Sequence, residues 1–486
     1  MIMAQERAFL KAQQQLQAME AFVEQAAADE HRIDQVEREL FGRLLAVGLT
    51  LLEAYVAAQG NGDAGAKLET PDSRTLRRLK ETHVRRYLSI FGELLLGRRV
   101  YAEREKQQIE RAPLDERLGL PAGEFSYVLE DWLQRMCVKE SFHEATSSLR
   151  ALLGLAPSER AAEQMNQRMA EHAEAFGTQH AAPPADEEAE ILVATADGKG
   201  VPMRRPLEER VRRGPRRGKG EKANKKQMAY VGAVYTIDRF RRTASDVVEE
   251  LARRERAADR PVPQHKQVWA EMTRVLEGES CTGRERLFVE MAIACHQRDS
   301  TRKKTLVCLM DGEAALWEVQ REWLPRAVGV LDLFHVLERL WQVAHVFHRE
   351  GSREAEQFVA HHLRLLLEGK VGYVIGRLKR LRDEHELRGS RRSTVSAVIG
   401  YYHNNRQHMR YDEYLAAGFP IGSGVAEGAC RHVVKDRLEQ TGMRWTVAGA
   451  QAMLHLRSIY LNGHWNDFMN YHIETEQAAL HRRSAA

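Results

Sequence analysis

At 486 residues, with 43% hydrophobic and 29% charged residues, the chain is too apolar for a disordered one and long enough for roughly two to four domains. A formal net charge of +4 excludes a strongly polyanionic or polycationic protein. Five cysteines, at 137, 281, 295, 308 and 430, form no CxxC pair, so buried thiols are expected rather than disulfides or a zinc ribbon.

Taken from the start, MIMAQERAFLKAQQQ carries charge and glutamine where a signal peptide has an apolar core. No apolar stretch is read as long enough to cross a bilayer, and a cytoplasmic protein without membrane contact is expected. LKAQQQLQAMEAFVEQ and IDQVERELFGRLLAVGLTLLEAYVAA space their apolar residues by three and four, predicting two helices that end at NGDAGA. RRYLSIFGELLLGRRVYAERE reads as a hairpin turning near Gly92 and Glu93. From Ala122 to about residue 180, three helical segments follow. Ser158 is placed as the cap of the third, and Arg160, Gln164, Asn166 and Arg168 are of types that contact phosphates or base edges. A helix-turn-helix and a plain three-helix bundle both fit that spacing.

AAPPADEEAE at 181–190 is a linker. EILVATAD and MAYVGAVYTID then read as strands, with a basic block between them. From Lys199 to Lys226 twelve Lys/Arg stand against three Glu, including Arg212, Arg213, Arg216 and Arg217. Such a block is either a solvated loop or a set of phosphate contacts. Residues 245–300 read as helical. TLVCLMD, EAALWEVQREWL and AVGVLDLF form a strand–helix–strand unit with parallel pairing. A long helical stretch runs from about His335 to Arg382. After a break at 389–393, further helices lead to a GSG turn and the helix of Glu427.

Asp197 and Asp311 each close an apolar strand at corresponding ends, where open α/β sheets hold their ligands. Glu427 lies on a helix with Arg431 and Lys435 at four-residue steps, and with Cys430, Val433 and Val434 on the adjoining side. Three carboxylates converging from strand ends and a helix suit a pair of hard divalent cations, Mg²⁺ or Mn²⁺, and phosphodiester chemistry on DNA. Asp238, ending the next strand, is the alternative first acid.

The order strand-Asp, strand-Asp, helix-Glu resembles the DDE class of insertion-sequence transposases. LMDGEAALW, DLFHVLERLW and PIGSGVAEGACRHVVKDRLEQTGMRW are similar to the ISKra-type group within it, over most of residues 80–465. The resemblance implies an α/β RNase H-like catalytic core with an all-α insertion, preceded by a mainly helical DNA-binding region. The implied divisions are a helical segment at 1–66, a basic hairpin region at 67–120 and a helix-turn-helix-like domain at 121–180. Core segments at 188–337 and 416–465 flank an insertion at 338–415, and a tail spans 466–486. Asp197, Asp311 and Glu427 carry over as catalytic acids holding two Mg²⁺ or Mn²⁺ ions, with Asp197 as the bridge. Asp332 and His335 match an Asp-x-x-His segment expected to support the site. Arg160, Arg168, the four arginines of the basic block, Arg431, Lys435, Arg437, Arg444 and Trp445 are the expected DNA contacts. Cleavage and strand transfer at terminal inverted repeats, by a homodimer or higher multimer on double-stranded DNA, is the implied activity. Many relatives carry a cysteine-rich zinc module near the hairpin, whereas residues 80–120 contain no cysteine.

Two constellations are set aside. YYHNNRQHMRY at 401–411 packs into eleven positions residue types that tyrosine recombinases draw from a whole domain; it reads as a partly buried helix edge. Trp317, Trp323 and Trp341 occupy apolar helical positions and read as core.

Overall fold

The computed structural model describes the chain except residues 1, 71–72, 106–107, 180–181, 185–186, 205–225, 254–258, 277–278, 441 and 486. It is a mixed α/β protein that separates into two compact units, residues 1–176 with 464–486, and residues 177–463.

In the first unit, helices Ile2–Ala28 and Ile33–Ala58 run antiparallel, with Lys11 beside Glu53 and Arg43 reaching the Ala18 carbonyl. The second helix, contrary to expectation, is long and apolar enough to cross a membrane by composition, with a mean hydropathy of 1.6 over its most apolar window. Its interruptions by Arg43 and Glu53 hid that run. The hairpin pairs His83–Ser89 with Gly92–Arg98, and Ser89 faces Gly92. The turn is therefore Ile90–Phe91, two residues earlier than read, with Ser89 Oγ accepting from Phe91 N–H. Helices Tyr127–Cys137, Phe142–Leu153 and Glu159–Ala170 start at Ser126, Ser141 and Ser158, whose hydroxyls accept the backbone N–H three residues on. The terminal helix Trp465–Ala485 belongs to this unit.

The second unit is built on five strands: β1 (Ile191–Pro202), β2 (Lys226–Ile237), β3 (Gln264–Met272), β4 (Thr305–Met310) and β5 (Val328–Leu331). Their order is β5-β4-β1-β2-β3. β1, β2 and β3 pair antiparallel, whereas β1, β4 and β5 are parallel. Ile191 to Ala196 are all buried, as a central strand covered on both faces requires. Gly232 on β2 lets helix Gly283–Arg298 approach closely, since a Cβ there would stand 2.7 Å from Met291 Sδ.

β3 departs from the helical expectation for residues 245–300. In QHKQVWAEM the alternate residues Val268, Ala270 and Met272 are buried, but the polar first half masks that period of two. As an edge strand its open backbone groups are matched by amides from helix Val447–Leu461 and its cap. Gln451 accepts from Met272 N–H at 2.7 Å and donates to Ala270 C=O at 3.1 Å; Asn462 does the same for Val268.

Between β5 and the Glu427 helix the described regular elements are all helical. The helical stretch expected from about His335 to Arg382 consists of three helices, Leu333–Phe347, Arg353–Leu367 and Val371–Glu384. Residues 389–393 do not form a break but open helix Gly389–Asn404. Helix and sheet residues share one core, from Ile191 on β1 to Leu340, Leu366, Val398 and Tyr411. Trp317 is buried and stacks on His408 with ring centroids 3.8 Å apart, but Trp323 is exposed.

Candidate active site

Strand register sets the first geometry. Met310 on β4 pairs with Ala196 on β1 and with Leu331 on β5. The next residues, Asp197, Asp311 and Asp332, are therefore neighbours, but only Asp311 and Asp332 follow the ends of their strands. Contrary to expectation, Asp197 does not close β1, which runs on to Pro202 paired with β2. Asp238 is different: Ile237 pairs with Ile191, six residues back from Asp197 and about 20 Å away at 3.3 Å per residue. The alternative first acid thus lies at the other end of the sheet.

Each aspartate has distinct partners. Asp332 is fully buried and caps helix Leu333–Phe347. Its Oδ1 accepts N–H from Phe334 at 3.2 Å and from Ser423 at 3.0 Å, and its Oδ2 meets His335 Nδ1 at 2.6 Å. With its lone pairs so engaged, Asp332 is a bracket that ties the GSG turn to β5. The Asp332 hydrogen bond, helped by the fields of Asp332, Asp311 and Asp197, pushes the His335 pKa up to about 9. His335 thus carries a positive charge at neutral pH.

Asp311 is half-buried, and its Oδ1 accepts the Glu313 N–H at 2.9 Å. Burial first, and then repulsion from Asp197 and Asp332, holds its pKa above the ordinary carboxylate value. Glu313 is raised in the same way by burial and Asp311. Asp197 accepts from Gly198 N–H at 2.6 Å and from the Cys430 thiol at 3.4 Å.

Glu427 is exposed on the short helix Gly424–Ala429. Burial of its carboxyl, then repulsion by Asp332 and Asp197 against attraction by His335, raises its pKa. The charges that act on Glu427 are thus those of Asp332, His335 and Asp197. Beyond it Cys430–Lys435 is π-helical. This wider turn keeps Cys430, Val433 and Val434 buried while Arg431 and Lys435 stay exposed. Asp197, Asp311 and Glu427 do not bring three ligand oxygens within 4.8 Å of one another. Two ions roughly 3.5–4 Å apart, each about 2.1 Å from its oxygens, span carboxylates up to roughly 8 Å apart, so such an arrangement does not demand tighter clustering.

Sequence reasoning missed the segment that fastens these strand ends. The Tyr401 hydroxyl donates to the Asp311 carbonyl at 2.6 Å, Tyr411 to Leu331 C=O at 2.8 Å, and Tyr414 to Gly329 C=O at 3.0 Å. Asn405 accepts the Trp317 indole N–H at 3.1 Å. It also lies against Gly312, whose φ of +92° carries the chain away from Asp311. The mix of Tyr, His and Asn set aside at 401–411 is thus a row of hydrogen-bond donors and acceptors for β4 and β5. Buried hydroxyls demand partners, and that demand was the available signal.

Several expected DNA contacts are engaged elsewhere. Arg168 pairs with fully buried Glu130 at 2.6 Å and with Glu476 at 2.9 Å, and Asn166 is buried against Gln134. Arg437 is fully buried with its guanidinium 5.0 Å from the Trp445 ring centroid. Trp445 is buried too, its indole N–H donating to Leu438 C=O at 3.1 Å and its backbone bridged to Pro202 and Arg204. Cationic and aromatic types suggested DNA, but here their apolar stems and planar faces fill a core. Arg160, Arg431, Lys435 and Arg444 are exposed. Arg212, Arg213, Arg216 and Arg217 lie outside the described residues. No protein-family model matches the chain, and no curated protein is significantly similar to it.

Proposed function

We propose that the chain is a DDE-type transposase with an RNase H-like core, cutting DNA at an element's ends and joining the freed 3′ hydroxyl to a target. The observation that carries this reading is the register placing Asp197 of β1 beside Asp311 at the end of parallel β4, with the thiol of Cys430, which follows the Glu427 helix, 3.4 Å from the Asp197 carboxylate. Strand order supports it as well: three antiparallel strands followed by two parallel ones, with β1 central. An all-helical span between β5 and the Glu427 helix fits an insertion that grips DNA.

The donor set is all carboxylate oxygen, which suits Mg²⁺ or Mn²⁺ held by Asp197, Asp311 and Glu427. Once bound, two such ions activate the attacking hydroxyl and stabilise the leaving oxygen. Among the described residues no lysine or arginine forms an ion pair with these acids, which leaves their oxygens to a cation. Asp332 fixes the His335 ring, whose positive charge stands beside the anionic cluster and can hold a phosphate oxygen. Exposed Arg431 and Lys435 continue from Glu427 along a surface suited to the DNA backbone.

The test uses the full chain and duplexes bearing the inverted repeats that flank its gene. Cleavage dependent on Mg²⁺ or Mn²⁺, followed by joining to a second duplex, is expected. Asp311→Asn and Glu427→Gln should abolish both steps and retain DNA binding. Cleavage without joining would make it a nuclease, and binding without metal-dependent cleavage a non-catalytic DNA-binding protein; either result overturns the proposal.

A further inference from the structure

The segment after Asp197 is strand, not loop: β1 continues through Gly198, Lys199 and Gly200 to Pro202, each residue paired with β2. Side chains alternate between the faces of a strand, so Asp197 and Lys199 share one face, about 7 Å apart along it. It is the face of the Glu427 helix, since the thiol of the following Cys430 meets the Asp197 carboxylate there at 3.4 Å. The other face of this stretch is Gly198 and Gly200, with the Met228 and Lys226 side chains of β2 lying across it. The ribbon is also fixed beyond the lysine. Pro202 C=O accepts the Trp445 N–H at 3.0 Å, and the Arg204 N–H donates to Trp445 C=O at 2.7 Å.

Lys199 and Lys226 bound the basic block, and they differ. Lys226 forms an ion pair with Glu439. Lys199 is partly exposed and has no hydrogen-bond or ion-pair partner among the described residues. Its charge nevertheless reaches the site. Burial first, and then the field and hydrogen bond of Asp197, raise the Cys430 thiol, and Lys199 offsets part of that rise.

We infer that Lys199 is a catalytic residue of the phosphodiester chemistry proposed above, its ammonium holding a non-bridging oxygen of the phosphate under attack. The inference rests on that reading and adds to it a residue and a role. Asp197, Asp311 and Glu427 against two divalent cations leave a single positive charge, while the phosphate gains a second negative charge on becoming five-coordinate. One more cation closes the balance. His335 can donate a hydrogen bond, but its partner Asp332 cancels its charge. Lys199 adds a charge that no acid cancels, from a paired strand rather than a loop, and a strand holds a site residue more closely.

The test uses the full chain. Wild type first maps the phosphate it cleaves in duplexes bearing the flanking inverted repeats. A methylphosphonate then replaces that phosphate, removing its non-bridging charge, and binding of both duplexes is measured without metal. The preference for the charged duplex over the neutral one should be roughly 10-fold greater in wild type than in Lys199→Gln. In Mn²⁺, single-turnover cleavage at saturating enzyme should fall about 100-fold in Lys199→Gln, and Lys199→Arg should recover part of it. The thermal midpoint should not move, because the side chain has no partner to lose. Equal preferences in the two proteins, or cleavage by Lys199→Gln within about threefold of wild type, would overturn the role of Lys199 and leave the functional reading intact. A wild type that cleaves in neither Mg²⁺ nor Mn²⁺ would overturn that reading, and this inference with it.

Discussion

Where β1 and β4 begin, Glu188 meets the Arg298 guanidinium at 2.7 Å with both side chains buried, Asp299 meets Arg326 at 2.7 Å, and Glu190 meets Arg239 at 2.9 Å. Where β4 ends, beside Asp197 of β1, the carboxylates Asp197, Asp311, Glu313 and Glu427 form no ion pair with a lysine or arginine among the described residues. His335 is the cation there, and it is bound to Asp332. Desolvation first, and then mutual repulsion only partly offset by His335 and Arg284, raises the free energy of the ionised forms, which the upward shifts of Asp311, Glu313 and Glu427 express. One end of the sheet is built for stability. The other keeps an electrostatic cost, which the proposed metal site would relieve.

The largest expected effect separates the two ends directly. Asp197→Asn should reduce metal-dependent cleavage at least ~1000-fold, about 4 kcal/mol. Asp238→Asn, at the other end, should leave the rate within about twofold of wild type. Similar losses for both would break the contrast. At the paired end, Arg298→Met strands the Glu188 carboxylate in the interior and should cost about 3–5 kcal/mol in urea unfolding. A loss below about 1 kcal/mol would mean the pair contributes little.

At the unpaired end the sign reverses. Asp311→Asn keeps the oxygen that accepts the Glu313 N–H and removes a repelled charge. In metal-free buffer near pH 7 it should raise stability by on the order of 1 kcal/mol, or about 2–4 °C in thermal midpoint. A carboxyl with a raised folded pKa costs stability as pH climbs from its unfolded to its folded value. The gain should accordingly be absent below about pH 4 and grow above it. A midpoint that falls at pH 7 would sink this account of the cluster.

The smallest effect concerns His335. Its folded pKa of about 9 exceeds the ordinary value of about 6.5, so its pairing with Asp332 stabilises most below pH 6.5 and fades as pH rises through 9. Calorimetry of wild type against His335→Gln across that window, without metal, should show the difference closing. A constant gap would assign His335 to packing alone.

The chain's local patterns carry a good part of this architecture. Ser158 marks a helix start because a cap needs only the next three residues, and Ser126 and Ser141 do the same for the two helices before it, although neither is singled out in the sequence. Asp197 and Asp311 stand out because the buried runs before them end abruptly, and the parallel strand–helix–strand unit from Thr305 to Leu331 is written in its period and length. Those signals depend on contacts within a few residues. Register is another matter: Asp197 and Asp238 both follow apolar runs, and the pairing of Ile237 with Ile191 alone separates them by about 20 Å along the sheet. The same holds for Tyr401, Asn405 and Tyr411, whose hydrogen-bond partners are 80 or more residues away in sequence. Arg437 and Trp445 likewise became core rather than DNA contacts. Side-chain type and helical period are local, so they were readable along the chain. The companion of a buried hydroxyl, an edge strand or a carboxylate is settled only when distant segments compete for the same space, and that competition exists in the folded molecule alone.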